Sequence, residues 1–139
     1  VLHSFGIAAE TLPSFYSRDY VSHLGNWIYG KSVALPRASV PNPNLINSIE
    51  DAGGIAYEYR IYSLNPTNTI LDVSGCDAVL FTSAYSFKSS VMEIGKDILP
   101  LAIGEITAEA MRERGVEPAV VGDGSLKGTL EAISKTGYS

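Results

Sequence analysis

The chain is poor in several residue types, and each shortage excludes something. It has one cysteine, Cys76, among 139 residues. No disulfide can form within it, so a reducing compartment, the cytoplasm, is expected. It has two histidines, His3 and His23. Neither they nor Cys76 stand at metal-ligand spacing, so no metal is expected. Apolar runs stay well short of the roughly 18 residues of a membrane span. No membrane partner is expected, and no secretory leader is visible in a chain that opens with Val1. Basic residues are few: ten Lys and Arg stand against fifteen Asp and Glu, for a net charge of −5. They form no stripe of the kind that neutralises a phosphate backbone, which argues against a nucleic-acid partner.

What is present describes a globular α/β protein. Hydrophobic residues make up 45% and charged residues 18%, enough apolar material for one compact domain or two very small ones. Short apolar runs recur at 33–35, 55–62 ("IAYEYRIY"), 78–83 ("AVLFTS"), 98–104 ("ILPLAIG") and 118–122 ("PAVVG"). Nearly continuous runs of this length read as strands of a parallel sheet buried on both faces.

Helical patterns lie between them. Leu45, Ile46 and Ile49 share a face in 42–54, where Asn42 or Asn44 can cap the start and a glycine pair stops the helix. Phe87, Val91 and Ile94 share a face in 83–95; residues 107–115 are rich in helix formers. Leu126, Leu130 and Ile133 share a face in 125–135, behind Ser125 as cap. From Ser32 onward the alternation predicts an α/β fold: a flavodoxin-like parallel sheet with helices on both faces and right-handed crossovers.

The division expected is 32–62 as a first βαβ unit, 63–76 as a linker or hinge, and 77–139 as a second α/β unit. The linker carries Asn, Pro and Thr where a crossover helix would stand. Residues 1–31 read as the remnant of a preceding α/β unit. "VLHSFGIAAETL" loosely echoes "LPLAIGEITAEAM", as after an internal duplication, and Tyr20, Leu24 and Trp27 suggest one more amphipathic helix.

In open parallel sheets ligands bind beyond the C-terminal strand ends. Those ends carry Arg37, then Thr82, Ser83 and Ser86, then Gly104, Glu105, Ile106 and Thr107, then Gly122, Asp123, Gly124 and Ser125. Hydroxyls, glycines, an arginine and helix N-termini together suit an anionic ligand. No histidine lies near, so a nucleophile-and-base site is not indicated. Each residue also has a plainer reading. The hydroxyls can be helix caps, the glycines turn residues, Arg37 a surface ion pair, Tyr62 a half-buried core residue and Cys76 a buried or semi-buried thiol.

Four segments, in order, resemble the uroporphyrinogen-III synthase family: "GKSVALPRAS" (30–39), "AGGIAYEYRIYSLNP" (52–66), "DAVLFTSAYSF" (77–87) and "LAIGEITAEAMRERGVEPAVVGDGSLKGTLEAI" (101–133). The pairing of Phe-Thr-Ser with Gly-x-x-Thr-Ala carries most of the likeness. The resemblance implies an enzyme that closes the linear tetrapyrrole hydroxymethylbilane into uroporphyrinogen III, inverting ring D and losing water, without metal or cofactor. It implies Tyr62 as the group assisting loss of the hydroxyl. Arg37, Thr82, Ser83, Ser86, Gly104, Ile106 and Thr107 would then hold the substrate's carboxylates. The family's opening Thr-Arg-Pro strand and first Phe-Thr-Ser unit have no counterpart, and Ala9 stands where a threonine would follow Gly6. The chain thus resembles roughly the second half of the enzyme, either truncated or a short relative able to pair as a homodimer. The rival expectation is a non-catalytic flavodoxin-like module that binds an anionic small molecule or a protein. A receiver-like domain is disfavoured because "ALPRAS" brings no acidic cluster.

Overall fold

The computed structural model describes residues 1–12 and 16–137. The chain forms two compact units, Val1–Leu64 and Asn65–Ser139.

The first unit contains helix α1 (Tyr20–Leu24), strand β1 (Ser32–Ala38), helix α2 (Pro43–Asp51) and strand β2 (Ile55–Tyr62). The strands pair in parallel, Ser32 opposite Ile55 and so on to Arg37 opposite Arg60. The register then slips, so that Ala38 faces Tyr62 and Ile61 is the extra residue. Helix α2 starts where its sequence dictates. The Asn42 side chain accepts the Leu45 amide, and Pro43 takes a first-turn position where its missing N–H is no loss. Ile28, Val33 and Ile49 form the core, with Tyr20, Leu24, Leu35, Leu45 and Ala56 around them.

Two expectations for the N-terminal region fail for local reasons. The echo at 1–12 forms no strand, only a 3-10 turn over Leu2–Phe5 closed by Gly6 in the left-handed region. Its apolar side chains Leu2 and Phe5 are exposed. Helix α1 ends at Leu24 because Gly25 adopts φ 54°, and a 3-10 turn over Gly25–Ile28 follows. The tighter turn sends Ile28 into the core in place of Trp27, which stays exposed with the Lys31 ammonium 5.8 Å from its ring centroid.

The second unit is a three-stranded parallel sheet in the order β3-β4-β5: β3 (Ala78–Phe81), β4 (Leu99–Ala102) and β5 (Val120–Val121). Helices α3 (Ala84–Ser89), α4 (Glu105–Arg112) and α5 (Leu126–Lys135) follow the strands in turn. One sheet face sets Phe81 and Ala102 against Phe87, Ala108, Ala110 and Met111. The Phe81 and Phe87 rings meet edge to face, 4.9 Å apart at 84°. The other face holds Leu101 and Val120, both buried. The fold is therefore the parallel α/β kind expected, but its strands divide two and three between separate sheets. Residues 65–77 supply no crossover element; Ile70 makes an isolated parallel bridge to Val91, and the Asp77 carbonyl accepts the Leu99 amide at the start of the β3–β4 ladder.

Two further differences have identifiable causes. The helix expected over 83–95 stops at Ser89. The Ser90 hydroxyl donates to the Ser86 carbonyl at 2.6 Å while its backbone turns extended, so Val91 leaves the helix and pairs with Ile70. Helix α5 does not bury Leu126 and Leu130, which are exposed. It turns Gly128, Thr129 and Ala132 inward instead. The reason is close approach: a Cβ on Gly122 would collide with Thr129 Oγ1 and lie 2.6 Å from the Ile103 carbonyl oxygen. Thr129 is wholly buried and its hydroxyl donates to the Ser125 carbonyl at 2.7 Å. Finally, Cys76 is exposed, not buried.

Gly122→Ala is expected to lower stability by about 1–3 kcal/mol, the usual range for overpacking a tight contact. Gly128→Ala should cost less, because its added methyl meets the exposed Asp123 carboxylate, which can move by giving up its bonds to Ser125, whereas Gly122 faces the Ile103 backbone. Urea unfolding of the two variants tests the order.

Candidate functional site

The strand ends of the second unit form a row. Phe81 lies opposite Ala102, and the Ile103 amide continues the ladder by donating to the Phe81 carbonyl at 3.0 Å. Thr82-Ser83 and Ile103-Gly104 thus emerge side by side, each leading into a helix. Next in the row, the Gly122 amide donates to the Ala102 carbonyl at 2.8 Å and the Gly124 amide to the Ile103 carbonyl at 2.7 Å.

Ser83 is a helix cap. Its hydroxyl accepts the Ser86 amide at 3.0 Å, while the Ser86 hydroxyl donates to the Ser83 carbonyl at 2.8 Å. Thr82 and Ser83 are exposed and Ser86 half-buried. The start of α4 differs. Gly104, buried and extended (φ −172°), precedes a helix with no side-chain cap. The amides of Thr107 and Ala108 reach the Gly104 carbonyl. Those of Glu105 and Ile106 find no acceptor among the described residues. Thr107 is only 3% exposed, yet its hydroxyl makes no hydrogen bond among those residues. Among the described residues no fully enclosed side-chain polar atom is left without a partner, so the accessible sliver of Thr107 includes that oxygen. A free hydroxyl and two free amides therefore meet at one helix start, an arrangement suited to a carboxylate.

The third strand end has the opposite character. Asp123 accepts the Ser125 amide at 2.8 Å and its hydroxyl at 2.7 Å; the hydroxyl first, then the amide, holds its carboxyl below the ordinary range. Ser125 in turn caps α5 by accepting the Gly128 amide. An ionised aspartate repels an anion, so charge divides this rim: β5 is repulsive, whereas at β4 the Glu105 carboxylate is neutralised by Arg112 Nη1 at 2.6 Å and β3 carries no acid.

In the first unit Arg37 stands at the end of β1, but its guanidinium is engaged. It donates to Glu58 Oε1 at 2.6 Å and to the Val40 carbonyl at 2.8 Å. Glu58 also accepts from Arg60 Nε at 2.9 Å. Arg60 first, then Arg37, hold the Glu58 carboxyl below its usual value. Two cations around one anion leave a surplus positive charge, carried by the largely exposed Arg60. Arg60 is the residue that sequence reading passed over; its position two residues after Glu58 on a strand, hence on the same face, was the available signal. Tyr62, at the register slip, is exposed. A hollow of about 420 Å³ beside β1 is lined by Tyr16, Tyr20, Leu35, Pro36, Arg37 and Leu45.

A hollow of about 820 Å³ in the second unit lies away from the strand ends, between 70–74 and 91–98. Its walls are mostly apolar, and Asp72 there is held ionised by the Ser74 hydroxyl and amide, so it does not suit a polyanion. Among the described residues no cluster of His, Cys, Asp and Glu could hold a metal ion, and no helix is long and apolar enough to cross a membrane.

Parallel α/β units of this kind belong to the class of open-sheet proteins whose ligands bind beyond the C-terminal strand ends. Within that class the chain belongs to the uroporphyrinogen-III synthase family: the family's sequence model, described as uroporphyrinogen-III synthase HemD, matches residues 1–128. Among solved structures it is similar to uroporphyrinogen-III synthetase from Helicobacter pylori, with 20% identity and a TM-score of 0.57 over 76% of this chain and 53% of that one. It is also similar to a mutant uroporphyrinogen III synthase from the extremely thermophilic bacterium Thermus thermophilus, with 23% identity and a TM-score of 0.53 over 96% of this chain and 61% of that one. At these identities the likeness establishes the fold. The chain spans about half to three-fifths of the length of these structures. No curated protein matches it.

Glu58 has a lowered folded-state pKa, so its contribution to stability is fully present above the ordinary carboxylate value of 4.5 and is lost as pH falls through the lowered value. Glu58→Gln should therefore destabilise the first unit at pH 7 and flatten the acid limb of its stability profile below pH 4.5. Unfolding midpoints across that range test it.

Proposed function

We propose that the chain serves the reaction of its family: cyclisation of hydroxymethylbilane to uroporphyrinogen III, with inversion of ring D and loss of water, in tetrapyrrole biosynthesis. The observation that carries this reading is the start of α4. There the buried Thr107 keeps an unpaired hydroxyl beside the free amides of Glu105 and Ile106, in the segment that matches the family. A substrate bearing eight carboxylates needs several such seats.

In this reading Gly104, Ile106 and Thr107 form one carboxylate seat, and Thr82, Ser83 and Ser86 a second at the neighbouring strand end. Arg37 anchors Glu58, and through it Arg60, as the positive rim of the first unit. Tyr62 is the acid that assists departure of the terminal hydroxyl as water. Fixed dipoles and a folded substrate, rather than covalent catalysis, supply the acceleration. The site uses no cofactor. The substrate is a small molecule encountered in the cytoplasm, and a second copy of the chain is its protein partner.

The test is a coupled assay with fresh hydroxymethylbilane that separates isomer III from the spontaneous isomer I. Isomer III is expected; isomer I alone from the folded protein overturns the reading. Tyr62→Phe should lower kcat by about 100-fold with KM little changed, as loss of a general acid does. Thr107→Ala should chiefly raise KM, by roughly 10- to 100-fold, the equivalent of about 1.5–3 kcal/mol for a hydrogen bond to a charged group. Unchanged kinetics in both would reassign the site.

A further inference from the structure

Two arginines share one carboxylate at the C-terminal end of the first unit's strands, and they share it unequally. Arg37 is committed on both terminal nitrogens: Nη1 donates to Glu58 Oε1 at 2.6 Å and Nη2 to the Val40 carbonyl at 2.8 Å. Its side chain is 20% exposed. Arg60 is attached by one atom, Nε, which donates to Glu58 Oε2 at 2.9 Å, and its side chain is 58% exposed. The Nη1 and Nη2 groups of Arg60 meet no acceptor among the described residues. Glu58, held on both oxygens, is 14% exposed. A lone exposed ion pair holds its side chains loosely and contributes little. Here Glu58 cannot drift with Arg60, because Arg37 fixes its other oxygen and the Val40 carbonyl fixes Arg37. One arginine would neutralise Glu58. The second leaves a positive charge that no acid among the described residues balances, in a chain of net charge −5. Arg60 also lies where an open parallel sheet receives its ligand, opposite Arg37 and immediately before the register slip that sets Ala38 against Tyr62.

We infer that Arg60 binds a carboxylate of the ligand through its two terminal nitrogens and that Glu58 is its positioning residue. A guanidinium is planar, with donors in a rigid fork that matches the two oxygens of a carboxylate. Tying Nε back to Glu58 fixes that plane and leaves the terminal donors for the ligand. Arg37, engaged on both terminal nitrogens, is the anchor of the arrangement and not the contact. A lysine at position 60 would supply the charge without the fork, and could not hold Glu58 and a ligand in one fixed geometry. The ligand is a small molecule bearing a carboxylate arm. Its identity as one of the substrate's eight carboxylates rests on the catalytic reading proposed above.

NMR of the arginine Nε–H groups in the wild-type chain reads the site directly, with no variant to misfold. The probe is propane-1,2,3-tricarboxylate, titrated against sodium chloride of equal ionic strength. The Arg60 signal is expected to shift saturably with the tricarboxylate and not with the salt, while the Arg37 signal moves little. Arg60→Ala should weaken tricarboxylate binding and, in the isomer assay, raise KM by about 10- to 100-fold with a smaller change in kcat, as loss of hydrogen bonds to a charged group does. Arg60→Lys should lose nearly as much. Glu58→Gln, measured where it is folded, should weaken binding although Arg60 is intact. A salt-like response at Arg60, a saturable response at Arg37 in its place, or full rescue by Arg60→Lys overturns the inference. Saturable binding at Arg60 without isomer III upholds the inference and removes the catalytic reading. Isomer III with no response at Arg60 does the reverse.

Discussion

The candidate site depends on the parallel, in-register pairing of β3 with β4. Because Phe81 stands opposite Ala102 and the Ile103 amide extends the ladder, two chain segments leave the sheet at the same level. Each must then turn at once into a helix, and parallel strands impose the same sense on both turns. Hydroxyls and amides far apart in sequence consequently face the same space. The cores on either side of the sheet maintain this level. The Phe81–Phe87 contact ties α3 to β3, and the buried Ala108 and Met111 tie α4 to the same core.

The legible part of the fold was the part determined by local chemistry. Asn42 and Ser125 cap α2 and α5 as their sequences suggest, and the short β-branched and aromatic runs became strands. Errors arose where long-range packing overruled a helical pattern. Leu126 and Leu130 have the spacing of a core face, but the approach of α5 to the sheet is set by Gly122 and Thr129, and bulk cannot enter there. Val91 has the spacing of a helical residue, but Ser90 returns its hydroxyl to the backbone first. The division into two sheets was equally invisible, because strand periodicity does not say which strands pair.

Among the site residues, sequence distinguished positions but not partners. Arg37 and Arg60 differ little as letters, yet one is half-enclosed by Glu58 and the Val40 carbonyl and the other carries the surplus charge outward. Asp123 sits in the same row as Thr107 and reverses its sign. Only the three-dimensional arrangement shows that the row is not uniform, and that its receptive stretch is confined to two of three strand ends.

The Ser83 cap constrains what can occupy its position. Its oxygen is already accepting the Ser86 amide, but the hydroxyl proton has no acceptor among the described residues. In the proposed carboxylate seat, a residue there must accept from the helix and donate to an anion with one short side chain. Aspartate would cap as well but confront a carboxylate with its own charge. Alanine would serve neither role, and asparagine would have to divide them between two atoms. The position is open to serine and threonine, so the chemistry of folding and the chemistry of binding here narrow the alphabet to the same two letters.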